Sequence, residues 1–352
     1  MKKTSKIMSL VLAGAMVLSL GACSGGGTAE TTKAELTEAV TAASSEEGTE
    51  AASEAGEGAG QTAEGTTYKI GILQLVQHTA LDAANEGFIA ALDEAGIQYD
   101  LDSQNASGDQ SACQTVASKF ANDKKDLILA IATPAAQAVA GAVTDTPVLI
   151  TAVTDPAESG LVDDNQKPGG NVTGTSDLTP VKEQIDLLKQ ILPDAKKVGI
   201  LYCSAESNSE IQAQMAREAI EAAGMTSQDF TVSSSNEIQT VVQSMVGAVD
   251  AVYAPTDNVI AAGMATVGMV AGDNNLPVIC GEAGMVQNGG LATYGIDYYQ
   301  LGYMTGQQAV KILTEGASPA DMPIEYLPAE KCELTVNEET AQTLGIDVSG
   351  LK

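Results

Sequence analysis

The stretch Ala132-Thr133-Pro134-Ala135-Ala136 has the residue types of a bare helix start. Thr133 suits an N-cap, and Pro134 suits the first helical position, where a missing N–H costs nothing. Ala135 and Ala136 leave the next amides unscreened by side chains. Such a start holds an anion through backbone donors and the positive end of the helix dipole. A carboxylate can sit there without Arg, which matters because the chain's one Arg, Arg217, lies on a helical stretch and faces solvent by pattern. Opposite chemistry stands in Pro255-Thr256-Asp257-Asn258, again directly after an apolar strand. Asp257 is placed to pair with an ammonium. Asp297, in Tyr294-Gly295-Ile296-Asp297-Tyr298-Tyr299, is a second candidate. Either acid serves equally well as the N-cap of the helix that follows it. An anion site matched by an acid suits a zwitterion.

Further polar groups close other apolar runs. Gln74 and His78 end the first, Thr154 and Asp155 end another, and Asn208 or Ser209 opens a helix. Tyr253, Tyr298 and Tyr299 offer flat apolar walls with a polar tip. Catalytic signatures are missing: there is no Gly-x-Ser-x-Gly, Walker A or Cys-x-x-Cys. With a single His, a His-based zinc site or a His acid/base pair is improbable. The sequence therefore reads as a binding protein with no cofactor and no enzyme activity.

These loops need elements to position them. Tyr68–Leu75 reads as a buried strand, and Ala80–Ala95 has helical apolar spacing that Gly96 stops. A strand near Ile97–Leu101, a helix near Ser111–Asn122, a strand at Asp126–Ile131, the helix opened by Thr133-Pro134 and a strand at Thr146–Val153 follow. Strands alternating with helices imply a doubly wound parallel sheet. The order then recurs. Lys197–Cys203 (KVGILYC) echoes the KIGILQ of Lys69–Gln74, Asp250–Tyr253 echoes Asp126–Leu129, and Pro277–Cys280 echoes Pro147–Ile150. The expected fold is thus two doubly wound α/β lobes with the carboxyl ends of their strands at a shared cleft. Cys203 and Cys280 end strands that flank a third. They would lie about 9–10 Å apart, beyond disulfide reach, so Cys113, Cys203, Cys280 and Cys332 are expected as free thiols.

Charge and composition narrow the partners. The net charge is −29, with 46 acids against 17 bases. No basic stripe exists to neutralise phosphates, which excludes nucleic acid. Residues 1–22 carry Lys2, Lys3 and Lys6, then an apolar run from Ile7 to Leu20, the pattern of a signal peptide. Leu20-Gly21-Ala22-Cys23 resembles the bacterial lipobox, in which Cys23 becomes the acylated first residue. Residues 24–67 hold nine Glu, one Lys and no Phe, Trp, Ile or Tyr. Such a segment cannot offset its ordering entropy, and residues 23–67 read as a lipidated Cys on an acidic, disordered tether. The expected address is the outer face of the bacterial cell membrane, held by lipid.

Several longer motifs resemble the substrate-binding lipoproteins of ABC transporters, of the type I periplasmic-binding fold. They are KIGILQLVQH at 69–78, ALDAANEGF at 80–88, DLILAIATPAAQA at 126–138, PVLITAVTDPAESGLV at 147–162, GGNVTGTSD at 169–177, GILYCSAESNS at 199–209 and DYYQLGYMTGQQA at 297–309. Within those the chain is similar to the tryptophan/tyrosine transport family. The resemblance implies closure of the lobes on an amino acid, aromatic or otherwise hydrophobic, and delivery by a monomer to a permease with cytoplasmic ATPases. It also implies three crossings between the lobes, expected near 176–180, 296–300 and 318–324. Lobe I would then be 68–177 plus 299–320, and lobe II 178–298 plus 321–352. Alternatives are a binding protein for a sugar or nucleoside, or a ligand-sensing receptor of the same fold. Trp is absent and Phe88, Phe120 and Phe230 sit in helix or strand interiors, which weakens the sugar reading.

Overall fold

Strands buried on both faces organise the chain. The computed structural model describes residues 65–351. The signal peptide, Cys23 and nearly all of the expected tether lie outside them. The chain runs β1 (Thr67–Gln74), α1 (Thr79–Glu94), β2 (Gln98–Asn105), α2 (Gln110–Asp123), β3 (Leu127–Ile131), α3 (Thr133–Ala142), β4 (Val148–Val153) and β5 (Val172–Ser176). There follow α4 (Val181–Ile191), β6 (Lys197–Cys203), α5 (Ser207–Ala222), β7 (Thr226–Val232), α6 (Ile238–Met245), β8 (Ala251–Ala254), α7 (Asn258–Ala262) and α8 (Met264–Asp273). The chain ends with β9 (Val278–Cys280), α9 (Ala283–Gln287), β10 (Ala292–Gly295), α10 (Tyr298–Glu315), β11 (Glu325–Tyr326), β12 (Glu333–Val336) and α11 (Glu338–Leu344).

Two sheets form, in the orders β11-β5-β4-β3-β1-β2 and β12-β10-β9-β8-β6-β7. Strands β1 to β5 and β6 to β10 therefore repeat one doubly wound topology, and among the described residues β12 alone pairs antiparallel. Central strands such as β3 (LILAI) and β4 (VLITAV) are buried throughout, because helices cover both faces. The edge strand β2 (QYDLDSQN) shows water on alternate residues. The sequence echo has a structural counterpart. The Lys69 amide donates to Asp126 Oδ2 at 2.7 Å, and the Lys197 amide donates to Asp250 Oδ2 at 2.9 Å. Each acid ties the strand after it, β3 or β8, to the start of its neighbour, β1 or β6.

The three crossings follow β5, precede α10 and follow β11. The third differs from expectation. β11 pairs parallel with Thr175 and Ser176 of β5, and β12 joins the other sheet, so the chain crosses between Tyr326 and Glu333 rather than at 318–324. Residues 321–326 stay with the first sheet because Thr173 Oγ1 donates to Met322 O (2.7 Å) and Ile324 N donates to Asn165 O (2.8 Å). A two-residue strand carries no periodicity by which to find it.

The hinge helix α10 lies against α1 at very close range. A side chain on Gly87 would collide with the Tyr299 carbonyl, and one on Gly302 with the Ala84 carbonyl. Small residues let the two backbones meet, and the crossing fixes Tyr298 and His78 at the helix starts that face the cleft.

Candidate binding site between the lobes

The carboxyl ends of both sheets meet at one cleft, as doubly wound sheets require. A narrow cavity of about 10 Å³, room for one water, lies there, lined from the first lobe by His78, Leu81, Ala152 and Thr154. The second lobe contributes Asn208, Thr256, Asp257, Asn258, Ala261 and Glu282, and the crossings add Asp177 and Tyr298. The cavity adjoins a wider inter-lobe space of 620 Å³ bordered by Val76, Pro134, Glu206 and Val259, and Asn258 borders both. No Lys or Arg is among the lining residues of either space.

The lobes touch across the cleft. Gln212 Nε2 donates to Thr154 Oγ1 (2.9 Å), His78 Nε2 lies 3.3 Å from Asn258 Oδ1, Gln137 Nε2 donates to Ser207 Oγ (3.3 Å) and Gln110 Nε2 donates to Ala205 O (3.3 Å).

Four buried carboxyl groups, Asp177, Glu206, Asp257 and Glu282, border the two spaces. Asp177 takes the Tyr298 hydroxyl on Oδ2 at 2.8 Å, while its Oδ1 is buried with no partner. Burial pushes Asp177 up to about 6, against the hydrogen bond from Tyr298. Glu282 caps α9, taking the amides of Gly284 and Met285. Burial first, and the Asp177 charge among lesser causes, lift it to about 7. On the other side, Glu206 is raised by burial and then by the charge of Asp257, and Asp257 is itself raised by burial. Glu206 Oε2 accepts Asn258 Nδ2 (2.7 Å), Asn208 Nδ2 (3.3 Å) and the Asn258 amide (3.4 Å). Burial lowers His78, opposed by its bond to Asn258, so the ring is neutral near pH 7. Buried like charges of this kind invite a cation.

The family profile for ABC transporter substrate binding proteins matches residues 69–350. The chain belongs to that family. It is the substrate-binding component of an ABC transporter. A tyrosine-binding protein of Clostridioides difficile is 44% identical over 279 residues, covering 78% of this chain and 80% of that one. A Streptococcus pneumoniae ABC domain solved in complex with L-Trp is 40% identical with a TM-score of 0.78, over 80% of this chain and 96% of that one. The ligand-free, open structure of a substrate binding protein with adhesive properties from Clostridium difficile is 44% identical. It gives a TM-score of 0.62, over 81% of this chain and 97% of that one. This substrate-binding protein thus overlays better on the L-Trp complex than on the open protein of slightly higher identity, in keeping with the inter-lobe bonds above.

Within this substrate-binding protein the expected site residues fall into two groups. His78, Thr154, Asn208 and Asp257 line the cavity. Thr133, Ala135 and Ala136 line neither space; they are buried at the start of α3, where the Ala132 amide donates to Thr151 O (3.0 Å), and of that start only Pro134 borders the wider space. The expected Thr133 cap does not form. Ala132 takes the cap position at φ 82°, and Thr133 Oγ1 is buried without a partner. The first helical bond runs from Ala136 N to Ala132 O (2.9 Å), which leaves the Thr133 and Ala135 amides outside the ladder. A positive φ at Ala132, and another at Ala152 (55°), is strain of the sort that functional strand ends carry.

Three expectations are corrected. Gln74 is spent inside its own lobe: Nε2 donates to Asp82 Oδ1 (2.6 Å) and Val76 O (2.9 Å), and Oε1 accepts from Asn85 (3.1 Å). Tyr253 is core, fully buried with its hydroxyl on Gln184 Oε1 at 2.7 Å, because its strand position points away from the cleft. Asp297 is exposed and caps α10 through the Gln300 amide (3.0 Å), and it does not line the cavity. The acids Asp177, Glu206 and Glu282 were missed. Each follows a parallel strand at its carboxyl end, so inspecting every strand-end loop for acids would have found them.

Proposed function

We propose that this protein captures a free α-amino acid with a large hydrophobic or aromatic side chain outside the cytoplasm and delivers it to an ABC permease. The observation that carries the reading is the cavity itself, walled by Asp177 at the first crossing and by Asp257 and Glu282 of the second lobe, with no Lys or Arg among its lining residues. An ammonium is the natural guest, and Asp177 with its free Oδ1 and Glu282 are its partners. This replaces Asp297 and moves Asp257 to a supporting role, because Asp257 already accepts the amides of Cys203 and Ile260. The ligand carboxylate takes the Thr133 and Ala135 amides, which stand outside the helical ladder at the start of α3 on either side of Pro134, a residue that borders the wider inter-lobe space. The named relatives that bind tyrosine and hold L-Trp favour an amino acid over a sugar. The protein acts as a monomer without catalysis, anchored through a lipid on Cys23.

A thermal-shift and calorimetric screen against the amino acids and common sugars tests the reading. Asp177→Asn should weaken amino-acid binding roughly 30-fold or more, since it removes one side of a buried charged hydrogen bond. An amino-acid amide should bind poorly to the unmutated protein. Sugar binding with no response to amino acids would overturn the proposal.

A further inference from the structure

Among the described residues, seven buried side-chain polar atoms have no hydrogen-bond partner. Three of them, His78 Nδ1, Asp177 Oδ1 and Asn208 Oδ1, belong to residues that line the narrow cavity. The other four lie on Thr133, Ser159, Thr179 and Gln308, which border neither space. Buried polar groups are ordinarily satisfied. Three orphans around one small space therefore point to a guest that brings hydrogen-bonding groups of its own.

All three orphans are acceptors, and the surrounding bonds fix them as such. Asn208 commits its Nδ2 to Glu206 Oε2 (3.3 Å), Ser209 Oγ (3.3 Å) and Thr256 O (3.4 Å), so the atom left over is its carbonyl oxygen. For His78 the tautomer follows from a relay of donors. Asn258 donates Nδ2 to Glu206 Oε2 at 2.7 Å, which leaves Asn258 Oδ1 as an acceptor. His78 Nε2, 3.3 Å from that oxygen, must therefore carry the proton. Burial keeps the ring neutral, so Nδ1 is a bare lone pair. Asp177 holds the Tyr298 hydroxyl on Oδ2, and its Oδ1 completes the set.

We infer that His78 Nδ1, Asp177 Oδ1 and Asn208 Oδ1 receive the three N–H groups of a primary ammonium, one each, so that the site discriminates against amino acids alkylated at nitrogen. The cavity of about 10 Å³ has room for one water-sized group, and a primary ammonium is of that size. A water has only two protons and leaves one acceptor unmet. A secondary ammonium also has two, and its extra carbon would press on Leu81, Ala152 and Ala261, the apolar part of the wall. A site built to be met by a donor rejects the analogue that lacks it, because the buried acceptor is then left unpaired. Glu282, whose oxygens already accept the Gly284 and Met285 amides, contributes charge. The inference rests on the amino-acid reading above and makes His78 and Asn208 its specificity-determining residues.

Calorimetry on the full folded protein with L-tyrosine, N-methyl-L-tyrosine and desamino-tyrosine tests it. N-methylation keeps the positive charge and removes one donor, so the N-methyl ligand should bind at least about 10-fold more weakly than L-tyrosine, the worth of one charged hydrogen bond. Asn208→Ala removes an acceptor and opens space, and should narrow that ratio. Because the chain has a single His, nitrogen NMR of tag-free protein labelled at histidine reads this ring alone. The spectrum should show the proton on Nε2, and L-tyrosine should shift the Nδ1 resonance as that atom accepts a hydrogen bond. Equal affinity for L-tyrosine and its N-methyl form would overturn the inference and leave the amino-acid reading standing. So would a proton on Nδ1, or an unchanged ratio in Asn208→Ala. Desamino-tyrosine binding as tightly as L-tyrosine would overturn both. The ligand series and the spectrum need no variant, so a poorly folding Asn208→Ala does not remove the test.

Discussion

Gln212 on α5 of the second lobe donates its Nε2 to Thr154 Oγ1 of the first lobe at 2.9 Å, and both residues are buried. The same Nε2 serves Thr256 Oγ1, and Gln212 Oε1 accepts the Thr256 amide at 3.3 Å. The side chain is thus fixed by its own lobe and aimed at the other. It acts as a latch that favours closure whether or not a ligand is present, and shifts the population of the binding-competent state. Gln212→Ala and Thr154→Val should each weaken ligand binding by about 3- to 10-fold, from roughly 1 kcal/mol per hydrogen bond. The losses should be less than additive in the double variant. Stopped-flow dissociation and small-angle scattering check this. Fully additive effects would mean that Thr154 acts on the ligand directly and the latch does not exist.

Ligand-free protein should lose stability as pH rises. Asp177 moves from 3.8 to about 6 and Glu282 from 4.5 to about 7 on folding. Between about pH 4 and 7 the folded state holds protons that the unfolded state has released, so the slope of stability against pH is negative there. Melting temperatures over that window should fall with pH, and saturating ligand should flatten the fall because an ammonium lowers both groups again. Binding near pH 6 should also release protons, measurable as a dependence of the calorimetric heat on buffer ionisation. A rise in ligand-free stability across that window would contradict the buried-acid assignment.

The α1–α10 crossing tolerates no side chain at Gly302, where any Cβ meets the Ala84 carbonyl. Gly302→Val should destabilise by about 1–3 kcal/mol or more through overpacking. It should also change ligand affinity, because Tyr298 begins the same helix. Gly141→Ala on α3 has open space around it and is the control, expected to stabilise by about 0.5–1 kcal/mol. Chemical denaturation of the two variants tells them apart, and equal stability would mean the helices simply move apart.

Membrane attachment is expected to depend on Cys23 alone. Cys23→Ser protein should leave the membrane fraction and carry no diacylglycerol by mass spectrometry. Deleting residues 24–64 should leave ligand affinity unchanged, since every residue lining the cavity lies after them. A large affinity loss on that deletion would show that the segment reaches the cleft.

The sequence by itself determined the architecture and its direction. Alternation of apolar runs with helical spacing, and the echo of Lys69–Gln74 in Lys197–Cys203, imply two sheets of one topology, and both have it. That works because burial on two faces demands continuous apolar strands, and a strand's carboxyl end is readable from its order alone. The loops that meet at the cleft were legible for the same reason, so His78, Thr154, Asn208 and Asp257 could be named. Tertiary structure decided which groups in those loops remain free. Gln74 and Asp297 are well placed by sequence, yet Asp82 and the Gln300 amide have already taken their polar atoms. Tyr253 ends a strand, yet its side chain points at Gln184 in the core. Asp177 and Glu282, far apart in the chain, line one cavity only because the fold brings their strand ends together. Hydrogen-bond satisfaction depends on partners that the fold supplies, and one chain order cannot reveal which acceptors it will leave unmet.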